Sequence, residues 1–331
     1  MKNLVCAACV AAVLLVLAMP TWVSVPAQTY VCIPDNLPAS GGSNVYPFGT
    51  NTEWRYQMRV DAAWLPTSPF RILEVAIAAG RTGTFTASQC QIRMAHTTIA
   101  NFQNDKVFAT NLGPCPTQVF NGPLSFPATA SQWCNLGLSG SFGHDGTRNL
   151  LIEIRFQAGS GNVSVRSATA SVLSVRRLWA SGAGAYTATS GSVDSITATG
   201  AAKLLLTIDP ATVLLAPDTV SLGTKAAIRL VQARPGEYYQ MAASLGQTPL
   251  SLPGYTICLT PDNVFIYSVL YGAPIFHSYA GLTNAQGNAF GTFLPPNLPV
   301  LVGVCVYHAA VTYDNAGLTG ASNTAGLQLV P

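Results

Sequence analysis

Apolar and polar side chains alternate most clearly between Leu150 and Gln157. Leu150, Ile152, Ile154 and Phe156 fall on one side, and Leu151, Glu153, Arg155 and Gln157 on the other. Successive side chains of a strand point to opposite faces, so this pattern predicts a half-buried antiparallel strand with one face on a core. The turn formers Gly143-His144-Asp145-Gly146-Thr147-Arg148-Asn149 lead into it. The same plan recurs before it. Trp54, Tyr56, Met58 and Val60 share a face. Leu73, Val75 and Ile77 do so within 70–79, and Cys90, Ile92 and Met94 within 89–96. Shorter strands are expected at 107–108, 117–120, 136–139, 163–166, 172–179 and 203–209. Residues 226–232, 238–243, 255–259, 264–271, 289–293, 300–313 and 327–330 continue the series. The 300–313 run is apolar on both faces and longer than a usual strand, so a central strand with a bulge near Gly303 is expected. Pro235-Gly236, Pro253-Gly254, Pro261-Asp262 and Pro295-Pro296 separate elements in the second half.

Many short strands at this spacing predict an all-β protein of two β-sandwich domains, one jelly-roll-like and one Ig-like. The expected division is a signal peptide over 1–27, an N-terminal domain over 28–209 and a C-terminal domain over 210–331. The small, polar stretch 181–200 reads as a long exposed loop before the closing strand 203–209. A boundary near Ser190 is the alternative.

The first residues predict export. Lys2 supplies a positive start, residues 4–17 form an apolar run, and Val25-Pro26-Ala27 offers small residues for cleavage before Gln28. The run is shorter than the roughly 20 residues a membrane span needs, so no anchor is expected after cleavage. Cys6 and Cys9 precede or lie within the run, which does not suit lipid attachment. Charged residues make up 9% of the 331-residue chain and its formal net charge is +3. No basic stripe is present to neutralise phosphates, which argues against nucleic acid as a partner. The expected location is the medium or the outer cell surface.

Six cysteines follow the cleavage point: Cys32, Cys90, Cys115, Cys134, Cys258 and Cys305. An even number in an exported chain predicts disulfides, with fifteen formal connectivities. Bonds confined to domains would pair Cys258 with Cys305 and leave three arrangements for the other four. None of the spacings is the C-x-x-C of a zinc site.

Several short stretches carry a resemblance. In the first half these are Arg55-Tyr56-Gln57, Gly122-Pro123-Leu124 and Arg148 to Ile154. In the second they are Pro235-Gly236, Leu245-Gly246, Gly287, Pro296, Pro299 to Gly303 and Ser322-Asn323. On these the chain resembles a large set of uncharacterised exported proteins of planctomycetes and related environmental bacteria. The resemblance implies a two-part β architecture at the cell surface or in the medium and implies no reaction. His308 stands where similar sequences often carry Gln, and Cys258 and Cys305 depart from the shared pattern.

Motifs for catalysis are absent: there is no G-x-S-x-G elbow and no H-E-x-x-H. His96, His144, His277 and His308 are far apart in sequence. Glu53, Glu74, Glu153 and Glu237 form no pair in sequence of the kind glycoside hydrolysis uses. No cofactor is expected. Calcium is the one ion that the oxygen-rich turns could hold, at Asn104-Asp105 with Asn101, or at Asp145 with Asn149, although neither follows the D-x-[DN]-x-[DN]-G pattern. Trp54, Tyr56, Trp64 and Trp133 are the candidate platform for a sugar, while the apolar face that Trp54 and Tyr56 share with Met58 also suits a core. The sequence therefore points to a non-catalytic exported protein with a structural, adhesive or ligand-binding role, an extracellular polysaccharide or a surface component being the expected partner. A secreted carbohydrate-active hydrolase and a subunit of a surface array are the alternatives.

Overall fold

The structure is a computed structural model that describes residues 29–33, 39, 42–44, 46–100, 102, 104–167, 175–193 and 201–331. The expected signal peptide and Asn101 lie outside these residues. The chain is all-β, as the alternation requires. It divides into two compact units: Gln28–Pro210 with Gly326–Gln328, and Ala211–Ala325 with Leu329–Pro331.

The first unit contains β1 (Thr29–Ile33), β2 (Gly42–Asn44), β3 (Trp54–Val60), β4 (Phe70–Ala78), β5 (Gly83–Thr97), helix α1 (Phe108–Leu112), β6 (Thr117–Ala128), β7 (Trp133–Asn135), β8 (Phe142–His144), β9 (Asn149–Gln157), β10 (Val165–Ser167), β11 (Val175–Ser181), β12 (Ser192–Val193) and β13 (Leu204–Asp209). One sheet has the order β12-β11-β3-β9-β5-β6. Another runs β1-β13-β4-β7, with β8 also on β4. The core takes Trp54, Tyr56 and Met58 of β3, Ile72, Val75 and Ile77 of β4, Ile92 and Met94 of β5, and Ile152, Ile154 and Phe156 of β9; Leu73, expected on the β4 core face, falls at a register shift against β13 and is half-buried, and Ile72 takes its place. Phe48, Phe85, Phe126 and Phe156 form one ring cluster inside it, with Phe48 and Phe85 centroids 4.9 Å apart. The outer face of the six-stranded sheet is also covered at one end. There Ala95 and Leu151 meet Phe102, Phe108, Leu112 and Leu178.

The second unit holds β14 (Val213–Leu215), β15 (Thr219–Ser221), β16 (Ala226–Val231), β17 (Tyr238–Ser244), β18 (Pro249–Leu252), β19 (Tyr255–Cys258), α2 (Asn263–Leu270), β20 (Phe276–His277), β21 (Ala280–Leu282), β22 (Ala289–Phe293), β23 (Cys305–Asp314), β24 (Gly317–Ala321) and the ends of β25 (Ala325–Val330), whose residues Gly326–Gln328 group with the first. Its sheets run β14-β16-β22-β20 and β15-β25-β23-β17-β21, with β24 also on β23 and β18–β19 a separate hairpin.

Four expected strands differ. Residues 264–271 form a helix: Asp262 caps it by accepting the N–H of Phe265, and Ser268 accepts the N–H of Ala243 on β17. A capping carboxylate overrides the β-branched and aromatic content of this run. Residues 107–108 lead into α1 rather than a strand. Residues 136–139 are irregular, because Leu136 and Gly137 turn away after β7, their N–H groups bonding Val75 O and the Glu74 carboxylate. At 300–313, a 3-10 turn (Pro299–Leu301) precedes β23, and Gly303 is the left-handed residue (φ 87°) of that turn rather than a strand bulge.

The disulfide expectation also changes. Cys32, Cys90, Cys134 and Cys258 are thiols, which removes the expected Cys258–Cys305 bond and every pairing that would use the other three. The register pairs none of these four with another cysteine. Cys32 lies opposite Leu205, Cys90 opposite Gly122 and Phe156, Cys134 opposite Ile77, and Cys258 opposite Pro249. Burial pushes the Cys90 thiol up to about 12, so it behaves as a small core hydrophobe.

Trp54 is 1% exposed, tilts against Tyr46 and Trp179, and donates its indole N–H to Thr50. Trp54→Ala should lower the unfolding free energy by about 3–5 kcal/mol, the usual range for emptying a large aromatic site. Urea denaturation measures it, and a loss below about 1 kcal/mol would contradict this packing.

Candidate functional site

The polar face of the β9 alternation is the structural centre of the first unit, and its environment changes along the strand. Leu151 and Glu153 have no exposed surface, while Arg155 and Gln157 are half-buried. Residues directly across a sheet share a face, so the register extends each position into a row. The dry end joins Ala95, Leu151 and Arg59. The middle row joins Gln118, Arg93, Glu153, Gln57 and Leu178. The next joins Asn121, Gln91, Arg155, Arg55 and Ala180.

In the middle row one Glu153 oxygen accepts from Arg55 Nε (2.9 Å) and Gln57 Nε2 (2.8 Å), and the other accepts from Arg93. Gln57 also donates to Phe108 O and accepts from Asn111, which ties α1 to the sheet. The Arg55 guanidinium lies 4.6 Å over the Phe108 ring and donates to Ala188 O. Glu153 was expected to face outward on β9. It does face away from the main core, but α1 and its neighbours seal it, and its partners replace the water it loses.

The following row is open. Gln91 links to Gln118, Gln89 links to Asn121 (2.7 Å), and Arg155 Nε donates to Gln91 Oε1 (2.8 Å). The Arg155 guanidinium lies 4.6 Å over the ring of Tyr186, which is half-buried on the 3-10 turn Ala185–Thr187. Glu53 holds that turn, accepting from the N–H groups of Gly184 and Tyr186. The result is an accessible polar sheet face of amides and guanidinium bounded by one aromatic ring.

A second constellation closes the turn before β9. His144 stacks on Phe70 (4.9 Å) and has no exposed surface. Its Nδ1 accepts the N–H of Gly146 (3.0 Å), so Nε2 carries the proton and donates to Arg148 O (2.8 Å). His96 is approached at Nδ1 by Arg148 (2.9 Å) and at Nε2 by the N–H of Asp145 (3.2 Å). A neutral imidazole has one lone-pair nitrogen. Both contacts bring a donor to the ring, and the Asp145 carboxylate stands 3.9 Å from Nε2. Asp145 accepts from the backbone of Thr147 and Arg148 and pairs with the Arg148 guanidinium. Ligand atoms of His96, His144 and Asp145 lie within 4.8 Å of one another. Their lone pairs are committed inside the turn and a guanidinium occupies the carboxylate, so the chemistry of this set suits a lock better than a cation.

The sequence candidates are distributed as follows. Trp54 and Tyr56 are core residues with no ring surface for a ligand. Trp64 is half-buried against the core, and Trp133 is half-buried on β7. Asp145 joins the two histidines, while Asn149 accepts from the N–H of Ala62. Asp105 is half-buried, and its carbonyl accepts from Asn111. Glu53, Glu74 and Glu153 are each committed to turns or to arginines. Tyr186 and the amide row were missed. The spacing Gln89-x-Gln91-x-Arg93 was the available signal, since it puts three polar side chains on one strand face.

No family model matches the chain, and no curated protein matches it. Among solved structures it is similar to a beta-glucuronidase of Faecalibacterium prausnitzii, with 8% identity and a TM-score of 0.23, over 94% of this chain and 47% of that one. The chain thus spans less than half of that enzyme's length, and a likeness at this level carries no argument. Among the described residues no helix is long and apolar enough to cross a membrane.

Two predictions follow from the burial of these groups. Burial, with Arg148 adding to it, lowers His96 to about 3, and burial lowers His144 to about 4, both from 6.5. Between these values the unfolded chain binds protons that the native state refuses, so stability falls as pH drops from 6.5 toward 4. The loss is at most about 1.4 kcal/mol per pH unit for each histidine. Asp145, whose pKa is also lowered, adds to the loss only below its ordinary 3.8. Urea midpoints across this range measure it, and a flat profile would refute neutral buried histidines. Glu153→Gln leaves Arg55 and Arg93 without their carboxylate and should cost about 3–5 kcal/mol. An unchanged urea midpoint would show that the cluster holds nothing together.

Proposed function

We propose that the chain is an exported, non-catalytic protein that binds an extracellular polysaccharide on the open sheet face of its first unit. One observation carries this reading. Gln89, Gln91, Asn121 and Arg155 stand side by side on a rigid sheet, and Tyr186 closes the row. Amide and guanidinium groups offer several donors and acceptors in fixed directions, which suits the vicinal hydroxyls of a sugar. The C–H face of a pyranose packs on an aromatic face, whose negative quadrupole attracts it. Side chains on strands hold such a row with little ordering cost on binding. Trp64 and Trp133 remain half-exposed elsewhere on the unit and are secondary candidates.

The test is affinity electrophoresis of the whole chain through gels that carry soluble polysaccharides, neutral and acidic. Retardation by at least one polymer is expected. Tyr186→Ala should weaken it about 3–10-fold, the loss of one aromatic contact of ~0.5–1.5 kcal/mol. Binding that survives both Tyr186→Ala and a Gln91→Ala/Asn121→Ala pair would place the site elsewhere, and no retardation in any gel would reject the reading.

A further inference from the structure

The charges on the open face do not balance. Arg55, Arg93 and Arg155 share it with Glu153, and Glu53 at its margin turns its carboxylate to the N–H groups of Gly184 and Tyr186. Both Glu153 oxygens are taken by Arg55, Gln57 and Arg93. Arg155 is half-buried, its Nε is used on Gln91, and its guanidinium rests on Tyr186. It forms no ion pair with any described residue, the pairs of this face being Arg55–Glu153 and Arg93–Glu153. A guanidinium stays protonated in proteins, so a partly desolvated positive charge stands beside the amide row without a counter-ion. Burial and the charge of Arg93 both disfavour that cation, and Glu153 and Tyr186 offset them only in part.

Resting on the polysaccharide reading, we infer that Arg155 is the seat for an anionic substituent, and that the ligand is an acidic polysaccharide. Nη1 and Nη2 of Arg155 can grip a carboxylate or a sulfate with two parallel bonds. The sugar ring that carries it then lies toward Tyr186, with its hydroxyls over Gln91, Gln89 and Asn121. Carboxylate and sulfate share this chemistry, so the geometry fixes the charge of the substituent and the experiment separates its two sources.

Binding of the whole chain to polygalacturonate, dextran sulfate and uncharged dextran should be measured by calorimetry at low and high salt. The expected result is binding to one or both acidic polymers, weakening as salt rises. Polygalacturonate alone would assign a uronate site and dextran sulfate alone a sulfate site. Arg155→Gln should weaken acidic binding about 10-fold or more, the usual worth of a hydrogen bond to a charged group. Arg155→Lys, which keeps the charge but loses the planar fork, should fall between Arg155→Gln and the parent. Thermal melting of both variants confirms folding, and Arg155→Lys decides the matter if Arg155→Gln does not fold. Dextran binding as tight as polygalacturonate, unchanged in the Arg155 variants, would overturn the inference and leave the polysaccharide reading standing. Acidic binding unchanged in both variants would also overturn it, as diffuse attraction. No binding to any polymer would overturn both.

Discussion

Glu153 is a carboxylate with no exposed surface, held by two guanidinium groups and an amide on strands on either side of its own. Removing it from water is expensive, and only a full set of partners offsets the cost. That requirement shapes everything around it. Gln57 must lie opposite it on β3, with Arg55 two residues along on the same face, and Arg93 opposite it on β5, so one residue of register slip on either strand would turn its partners to the wrong face. Gln57 then reaches to Phe108 O and Asn111, and the short helix α1 docks because its polar groups find partners there. A helix of this length has little stability of its own.

The same cluster divides the outer face in two. On one side of Glu153 the sheet is dry, with Leu151 and Ala95 beneath Phe108 and Leu112. On the other it is open, with Arg155, Gln89 and Gln91 half-buried and Asn121 exposed. A wet face on a strand is ordinary, but this one carries excess positive charge because Glu153 is spent on Arg55 and Arg93 and Glu53 on the backbone of the Tyr186 turn. The excess charge on the open half is thus a consequence of how the closed half is held.

Much of this arrangement was legible from the alternation. Trp54–Val60 forms the strand its pattern predicts, and β9 puts Ile152 and Ile154 inward. The outer face was not legible, because its cover comes from α1 and from the turn near Tyr186, both distant in sequence. A period-two pattern shows that a residue leaves one core but not whether a second layer meets it. Residues 264–271 failed for a related reason. An unbroken apolar run has no period, and only Asp262, a good N-cap, distinguished helix from strand.

The site was misjudged where residue type was weighed above position. Trp54 and Tyr56 invited a binding role as aromatics, yet they share a face with Met58, and that face packs the core. Tyr186 sits in a stretch of Gly, Ser, Thr and Ala that reads as featureless, and its place depends on Glu53, whose carboxylate gathers the turn. A ring on a rigid strand interior is spent on packing, because burying it there is worth more than any ligand contact. A ring on a tethered turn keeps part of its surface. On the proposed reading, recognition on this scaffold belongs to the residues that pattern analysis discounts: the amides of the polar face, the arginine left over from the ion cluster, and the tyrosine that the turn brings against it.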